Sequence, residues 1–241
     1  MQSIQSSTTS ARVEFFAGVA SVLPLLAAAT PFAILFGVLS LTAGLPYWAA
    51  QAMSLFVFAG ASQFVAVGLV AQGVSYPLIV LTTLIVNLRH AFYGASVADH
   101  LRGLSRAWRA FLAFSMVDES YAIAITHYRD TSHGDAAYKH WYFLGANIGL
   151  LFFWNVGTAI GYFLGRLIGD PLALGLDFTL PLVFIAILIP QLKTRAHLIS
   201  AITAAILAVL GYALPNKLGL LFAMAFGVVI GFGVEKWITR S

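Results

Sequence analysis

Residues 15–88 read FFAGVASVLPLLAAATPFAILFGVLSLTAGLPYWAAQAMSLFVFAGASQFVAVGLVAQGVSYPLIVLTTLIVNL. Between Glu14 and Arg89 these 74 residues contain no Lys, Arg, Asp or Glu. At about 20 residues per crossing, the stretch supplies three or four bilayer spans. It is rich in Leu, Ala, Gly and Phe and lacks the long alternation of a barrel strand, so the spans are read as helices. The rest of the chain agrees. Over 241 residues 9% are charged and 60% hydrophobic, against roughly 25% charged in an average soluble domain. A water-soluble fold is excluded, and with it any soluble catalytic, receptor or nucleic-acid-binding domain. The fold class is an all-α polytopic membrane bundle.

A formal net charge of +4 in so apolar a chain sets orientation in the bilayer rather than binding nucleic acid. The absence of cysteine excludes disulfides, thiolate metal sites and thiol catalysis. Residues 1–12 form a polar tail. The apolar run after it continues well past a faint cleavage-like sequence at 27–30, so the first span is expected to be retained.

Residues 13–241 form one transmembrane domain of seven to eight apolar segments: 13–42, 46–70, 76–98, 108–128, 139–165, 177–192, 196–214 and 217–236. The first holds Pro24 and Pro31, the sixth Pro181 and Pro190. Proline removes a backbone donor and clashes with the preceding turn, so both segments are expected to be broken or re-entrant. Both contain Leu-Pro-Leu, at 23–25 and 180–182, which hints at a diverged inverted repeat. Cations near span ends place Arg102, Arg106, Arg109, Arg166, Lys193, Arg195, Lys236 and Arg240 on the cytoplasmic side. Arg129, Lys139 and Lys217 then lie opposite, provided the sixth segment re-enters.

The polar residues inside these segments carry the chemistry. Asp118 and Glu119 stand near the middle of the fourth segment, where each ionised acid costs about 2.5 to 3.5 kcal/mol on insertion scales. Ser115, Asp118, Glu119, Ala122 and Thr126 share an arc of roughly 100°. The acids belong either to a structural ion pair or to a proton or ammonium site, since a carboxyl taken out of water favours its protonated form. At the end of the third segment Asn87, His90 and Gly94 share a face with Thr83, while Arg89, Tyr93 and Ser96 point elsewhere. That helix is therefore packed all round or locally unwound. Arg89 suits either acid, or a substrate carboxylate, and His90 is an interior histidine or a proton relay.

In the second segment Phe58, Ala59, Gly60, Ala61, Ser62, Gln63 and Phe64 run together. Gly60 permits a helix break that would aim free N–H groups at an anion; the alternative is a small-residue packing face. Gly-Ala-Ser-Gln is also one residue from the Gly-x-Ser-Gly of intramembrane serine proteases, with His90 as base, though Gln63 and the neighbouring Arg89 weigh against that. Gly145, Gly149, Gly157, Gly161 and Gly165 keep one four-residue register, expected to mark close helix contact inside the chain or with a partner subunit. Asn147 and Asn155 read as interhelical hydrogen-bonders. His127, His133 and His140 have no metal-binding spacing and read as solvated. No cofactor, metal or catalytic residue is expected.

Phe-Ala-Gly-Ala-Ser-Gln-Phe at 58–64, Asn-Leu-Arg-His with Tyr93 at 87–93, and Asp-Glu-Ser-Tyr at 118–121 together resemble the AzlC family, the large subunit of bacterial branched-chain amino acid exporters. The resemblance covers nearly the whole chain. It implies efflux of valine, leucine, isoleucine and similar apolar amino acids across the bacterial inner membrane, with a small membrane partner of the AzlD type. A zwitterionic amino acid needs a cradle for its carboxylate, an acceptor for its ammonium and an apolar pocket. The break at 60–63 with Arg89 fits the first, Asp118 or Glu119 the second, and Phe58, Phe64 and Trp154 the third. The candidate substrate-binding set is thus Phe58, Gly60, Ser62, Gln63, Asn87, Arg89 and Trp154, and the candidate proton-coupling set is Asp118, Glu119 and His90. The sequence has no Gly-x-x-x-x-Gly-Lys motif, so export would draw on an ion or proton gradient. The remaining alternatives are an intramembrane serine hydrolase and a regulatory membrane subunit without transport of its own.

Overall fold

The computed structural model describes residues 10–129, 138–167, 192–214 and 218–238, with the isolated positions 182, 185, 188 and 189. Among these every regular element is helical. The elements are α1 (Ala11–Thr42), α2 (Tyr47–Ala52), α3 (Gly60–Ala71), α4 (Tyr76–Asn87), α5 (Arg89–Val97), α6 (Arg106–Phe114), α7 (Asp118–Arg129), α8 (Lys139–Leu167), α9 (Arg195–Leu210) and α10 (Leu218–Ile238). The chain divides into two compact units, Met1–Gln63 with Leu84–Gly169, and Phe64–Thr83 with Asp170–Ser241. By length and apolar composition Ala11–Thr42, Tyr76–Leu101 and Lys139–Leu167 can each cross a membrane. The sixth segment lies outside the described residues apart from isolated positions, and so does the second Leu-Pro-Leu.

The first unit is organised on α1 and α8. Helix α1 opens with Ser10, whose Oγ accepts from the Val13 amide, and at 32 residues it is about 48 Å long. It is one continuous helix through Pro24 and Pro31, which corrects the expectation of a break in the first segment. The physical reason is placement. Pro24 and Pro31 both lie on the exposed side, two turns apart. The opposite face, with Gly18, Val22, Ala33, Gly37 and Ser40, is buried.

That buried face meets the glycine register of α8. Gly145 packs on the Phe15 backbone, Gly149 on Val22, Gly157 on Ala33, Gly161 on the Ile34 backbone and Gly165 on Val38 and Leu41. Residue numbers rise together along both helices, so α1 and α8 run parallel. In lipid such contact is stabilised by close backbone packing. The whole glycine ladder is therefore occupied inside this chain.

In the second unit α9 and α10 run antiparallel. Gly211 meets Gly219 near the turn between them, and further along Gly227 and Gly231 face Ala204 and Ser200. Ser200 Oγ donates to the Gly227 carbonyl at 2.7 Å, sharing one helix's hydroxyl with the other's backbone.

Three apolar segments are interrupted, and all three interruptions reach the first unit. In the second, α2 runs into a π-helical turn, Met53–Val57, that ends at Phe58. In the third, the helical hydrogen-bond ladder slips at the single residue Leu88, between α4 and α5, while the backbone stays right-handed there, φ −55° and ψ −25°. In the fourth, residues 115–117 separate α6 from α7.

The fourth segment doubles back within the first unit. Trp108 packs against His140 and Trp141 at the start of α8. Asn147, two turns further along α8, donates to Ser115 Oγ and the Leu112 carbonyl, and Val117 packs with Ala146 and Leu150. From there α7 climbs back: Ala124 and Ile125 pack with Phe143, and Tyr128 donates to the Lys139 carbonyl at 3.2 Å. Helices α6 and α7 are the two limbs of a re-entrant hairpin whose tip is residues 115–118. Consequently Arg102, Arg106 and Arg109 lie at the same end of the unit as Arg129 and Lys139, and Arg166 lies at the other. This corrects the expected division of cations, which assumed that segment four spans the bilayer.

Candidate functional site

The second segment approaches from the opposite end. Tyr47 rests on Tyr162 and Phe163 near the end of α8, and Tyr162 Oη donates to the Leu45 carbonyl. One turn along, Gln51 donates to the Asn155 carbonyl, and Ser54 meets Thr158 at 2.9 Å. At Phe58 the backbone is left-handed, φ 36°, a conformation unusual for a bulky residue and held here by burial against Val22, Val117, Ala146 and Leu150. Gln63, one turn past the break, reaches back to Ser54 Oγ at 3.1 Å, so the chain bends sharply there. The break expected around Gly60 is present, but Phe58 carries the strained dihedral. Gly60 itself lies inside α3, where its missing side chain makes room for the Trp154 ring; a Cβ there would stand 3.0 Å from Trp154 Cη2.

The break at Phe58 and the tip of the α6–α7 hairpin thus approach from opposite ends of the first unit and meet. Phe58 and Val117 share one apolar cluster, with Trp154 packed against it. The third break joins both. Ser62 Oγ donates to Asn87 Oδ1 at 2.5 Å, and Arg89 pairs with Asp118 at 2.7 Å. Beyond it α5 and α7 are zipped together by the stacked rings of Tyr93 and Tyr121, 4.5 Å apart, and by the Tyr121 hydroxyl on Ser96.

The acids therefore begin a helix instead of interrupting one. Asp118 and Glu119 form the first turn of α7, where the free N–H groups and the positive end of the helix dipole favour negative charge. This is how a membrane segment tolerates two adjacent carboxyls. They are not equivalent: Asp118 holds Arg89, with 36% and 25% of their side chains accessible, while Glu119 is exposed. Several buried polar atoms at these breaks have no partner among the described residues: Arg89 Nε, Asp118 Oδ1, His90 Nε2, Gln63 Oε1 and Trp154 Nε1.

Of the residues read from the sequence, the structure gathers Phe58, Gly60, Ser62, Gln63, Asn87, Arg89, Asp118 and Trp154 around the three breaks. Glu119 stays outside the ion pair. Phe64 belongs to the second unit. His90 Nδ1 lies 3.2 Å from the Asn87 carbonyl, one turn back on its own segment. Ser62 and His90 form no nucleophile–base pair, since the Ser62 proton goes to Asn87. Asn147 and Asn155 are interhelical hydrogen-bonders as read. His127 is not solvated: it stacks on Tyr142 at 3.8 Å and stands 3.6 Å from Glu14, with 11% of its side chain accessible. His140 packs against Trp108, and His133 lies outside the described residues.

Gln51, Ser54 and Thr158 are the polar residues that sequence reading passed over. Their signal is positional: Gln51 and Ser54 are three apart, as are Asn155 and Thr158, so each pair makes a polar patch on one face of an otherwise apolar helix.

The AzlC protein family model matches residues 24–168. The chain is 34% identical over 146 residues to the branched-chain amino acid transport protein AzlC of Bacillus subtilis, covering 60% of this chain and 55% of that one. It is 28% identical over 200 residues to the inner membrane protein YgaZ of Escherichia coli, covering 81% and 80%. It is 29% identical over 196 residues to an uncharacterized membrane protein of Archaeoglobus fulgidus, covering 80% and 83%. No solved structure matches.

Proposed function

The chain belongs to the AzlC family, and from that premise we propose that it is a multi-pass inner-membrane secondary transporter that exports branched-chain and similar apolar amino acids through the meeting point of its three breaks. The observation that carries this reading is the Arg89–Asp118 pair. Opposite charges from two different breaks hold each other at 2.7 Å, and each keeps one buried polar atom unmet. Such a pair is balanced when empty and can exchange partners with a ligand that is itself both cation and anion. A bound amino acid gives its carboxylate to the Arg89 guanidinium, a fork suited to carboxylates, and its ammonium to Asp118. The N-terminus of α3 adds backbone N–H groups to the carboxylate side. Neither charge is left alone in the low-dielectric interior at any stage, which is the costly case. Phe58 and Trp154 supply apolar surface for the side chain, a pocket that discriminates poorly between residues differing by one methylene.

Asp118 is also the proposed proton-coupling residue: where the ammonium leaves it before Arg89 returns, a proton takes the vacated place and the acid does not stand as an unpaired charge. The broken second segment and the α6–α7 hairpin, approaching from opposite ends of the first unit, resemble the discontinuous helices of transporters built on inverted repeats. In the first unit Arg12, Arg102, Arg106, Arg109, Arg129 and Lys139 gather at one end and Arg166 at the other, which supports placing the start of α1 in the cytoplasm. A small AzlD-type partner remains part of the proposal, but it has to pack elsewhere than on the glycine ladder, which α1 fills. The donation of the Ser62 proton to Asn87 weighs against hydrolysis.

The test is leucine efflux from proteoliposomes under an imposed pH gradient, with and without a small partner subunit. Asp118→Asn keeps an oxygen acceptor but no titratable proton. It should abolish gradient-driven efflux while leaving leucine exchange measurable, and Glu119→Gln should leave both. Full gradient-driven efflux by Asp118→Asn would end the coupling proposal.

A further inference from the structure

The π-helical turn, the start of α3 and the middle of α8 are joined by a short chain of hydrogen bonds with a fixed direction. Thr158 Oγ1 lies 2.9 Å from the Trp154 carbonyl, which can only accept, so the single Thr158 proton is used there. The 2.9 Å contact between Ser54 and Thr158 then requires Ser54 to donate. With its own proton used, Ser54 Oγ can only accept from Gln63, and the amide nitrogen of Gln63 stands 3.1 Å from it. One arrangement of protons satisfies all three contacts. It turns the amide oxygen of Gln63 away from the network, fully buried and without a partner among the described residues.

Ser54, Gln63 and Thr158 are each inaccessible, at 0%, so no rotation in solvent relaxes this arrangement. A buried acceptor left unmet is costly, and a protein keeps one where something else completes it. Gln63 lies on the face of α3 that also carries Gly60, one turn earlier, where the Trp154 ring closes in, and the Trp154 N–H is likewise buried and unmet among the described residues. An oriented neutral oxygen calls for an N–H donor.

We infer that Gln63 Oε1 is the acceptor that reads the ammonium group of the transported amino acid, and that Ser54 and Thr158 are positioning residues that hold its amide the right way round. This rests on the transport reading of the same breaks. An ammonium group has three N–H donors, so a neutral acceptor at Gln63 complements the charged one at Asp118 and selects amino acids over the corresponding carboxylic acids. A site built to hydrogen-bond a polar group discriminates strongly against analogues that lack it.

The test measures binding of labelled leucine to the full-length chain in lipid nanodiscs, with 4-methylpentanoate, which is leucine without its ammonium, as competitor. Gln63→Leu should weaken leucine about tenfold, as for loss of a hydrogen bond to a charged group, and leave 4-methylpentanoate unchanged, so that selectivity collapses. Ser54→Ala and Thr158→Val should shift selectivity the same way, and Ser54→Thr and Thr158→Ser, which keep the hydroxyl, should restore it. If Gln63→Leu weakens both ligands in parallel, or neither, Gln63 does not read the ammonium, and the transport reading stands without it. If the parent chain binds leucine no better than 4-methylpentanoate, the selectivity claim fails at once. If it binds neither, the transport reading itself fails and takes this inference with it.

Discussion

Gly161→Ala is the sharpest probe of the α1–α8 contact that frames the site. A Cβ on Gly161 would stand 2.6 Å from the Ile34 carbonyl carbon and 2.9 Å from its Cα, and closer still to its oxygen. Comfortable carbon separations are about 3.5 to 4.0 Å, so the helices must part by about 1 Å. Both obstacles are backbone of long helices and cannot rotate away. Overpacking of this kind costs about 1 to 3 kcal/mol, and the upper end applies where neither side can yield. Alanine's better helix propensity returns about 1 kcal/mol, leaving a net loss of about 2 kcal/mol. Gly149 and Gly165 are the internal controls. The nearest atoms to their added Cβ would be the side-chain methyls Val22 Cγ2 and Leu41 Cδ2, each at 3.0 Å, with the backbone of Val19 and Val38 at ordinary contact distance, 3.7 and 3.5 Å, so Gly149→Ala and Gly165→Ala should come out near zero. At about 2 to 4 °C per kcal/mol for a chain of this size, Gly161→Ala should melt about 4 to 8 °C below the parent in detergent, followed by size-exclusion chromatography after heating. Equal melting of Gly161→Ala and Gly165→Ala would refute the parallel packing described for α1 and α8.

The cysteine-free chain makes topology directly readable by single-cysteine labelling with a membrane-impermeant maleimide. Ser105→Cys and Tyr138→Cys should be labelled from one side and Arg166→Cys from the other; opposite accessibility of Ser105→Cys and Tyr138→Cys would show that segment four crosses. Ser62→Ala removes one hydrogen bond, to Asn87, worth about 0.5 to 1.5 kcal/mol, and should keep most leucine efflux with a modest rise in apparent KM. Complete loss, with cleavage of a membrane substrate by the parent protein, would reinstate a nucleophile at Ser62.

How much the sequence revealed can be argued residue by residue. A charge-free run of 74 residues points to membrane helices, and a lone Arg near two acids in apolar segments makes an ion pair one of the two readings; the structure pairs Arg89 with Asp118 and leaves Glu119 out. What hydropathy cannot supply is direction. Segments two and four have the composition of spans, yet segment two breaks at Phe58 and segment four turns back at residues 115–117, so the cations beyond segment four fall at the end opposite to the one inferred. Proline misled in the other direction. Pro24 and Pro31 lie on the outer face of α1, and the packing of its inner face on glycines of α8 holds the helix straight. The glycine register was visible, but which helix fills it depends on the tertiary fold. The same is true of the Ser54–Thr158–Gln63 network, in which Thr158 lies 104 residues from Ser54.

The central claim is that Arg89 and Asp118 together receive a zwitterionic amino acid, and leucine counterflow tests it most directly. Liposomes loaded with unlabelled leucine and carrying the full-length chain, together with its small partner if one is required, should take up labelled leucine without any imposed gradient. Arg89→Ala and Asp118→Ala should each reduce that uptake at least about tenfold, as expected for losing a hydrogen bond between charged groups. The charge-swapped double variant Arg89→Asp with Asp118→Arg should recover part of it. Counterflow at the parent rate in both single variants would contradict the account.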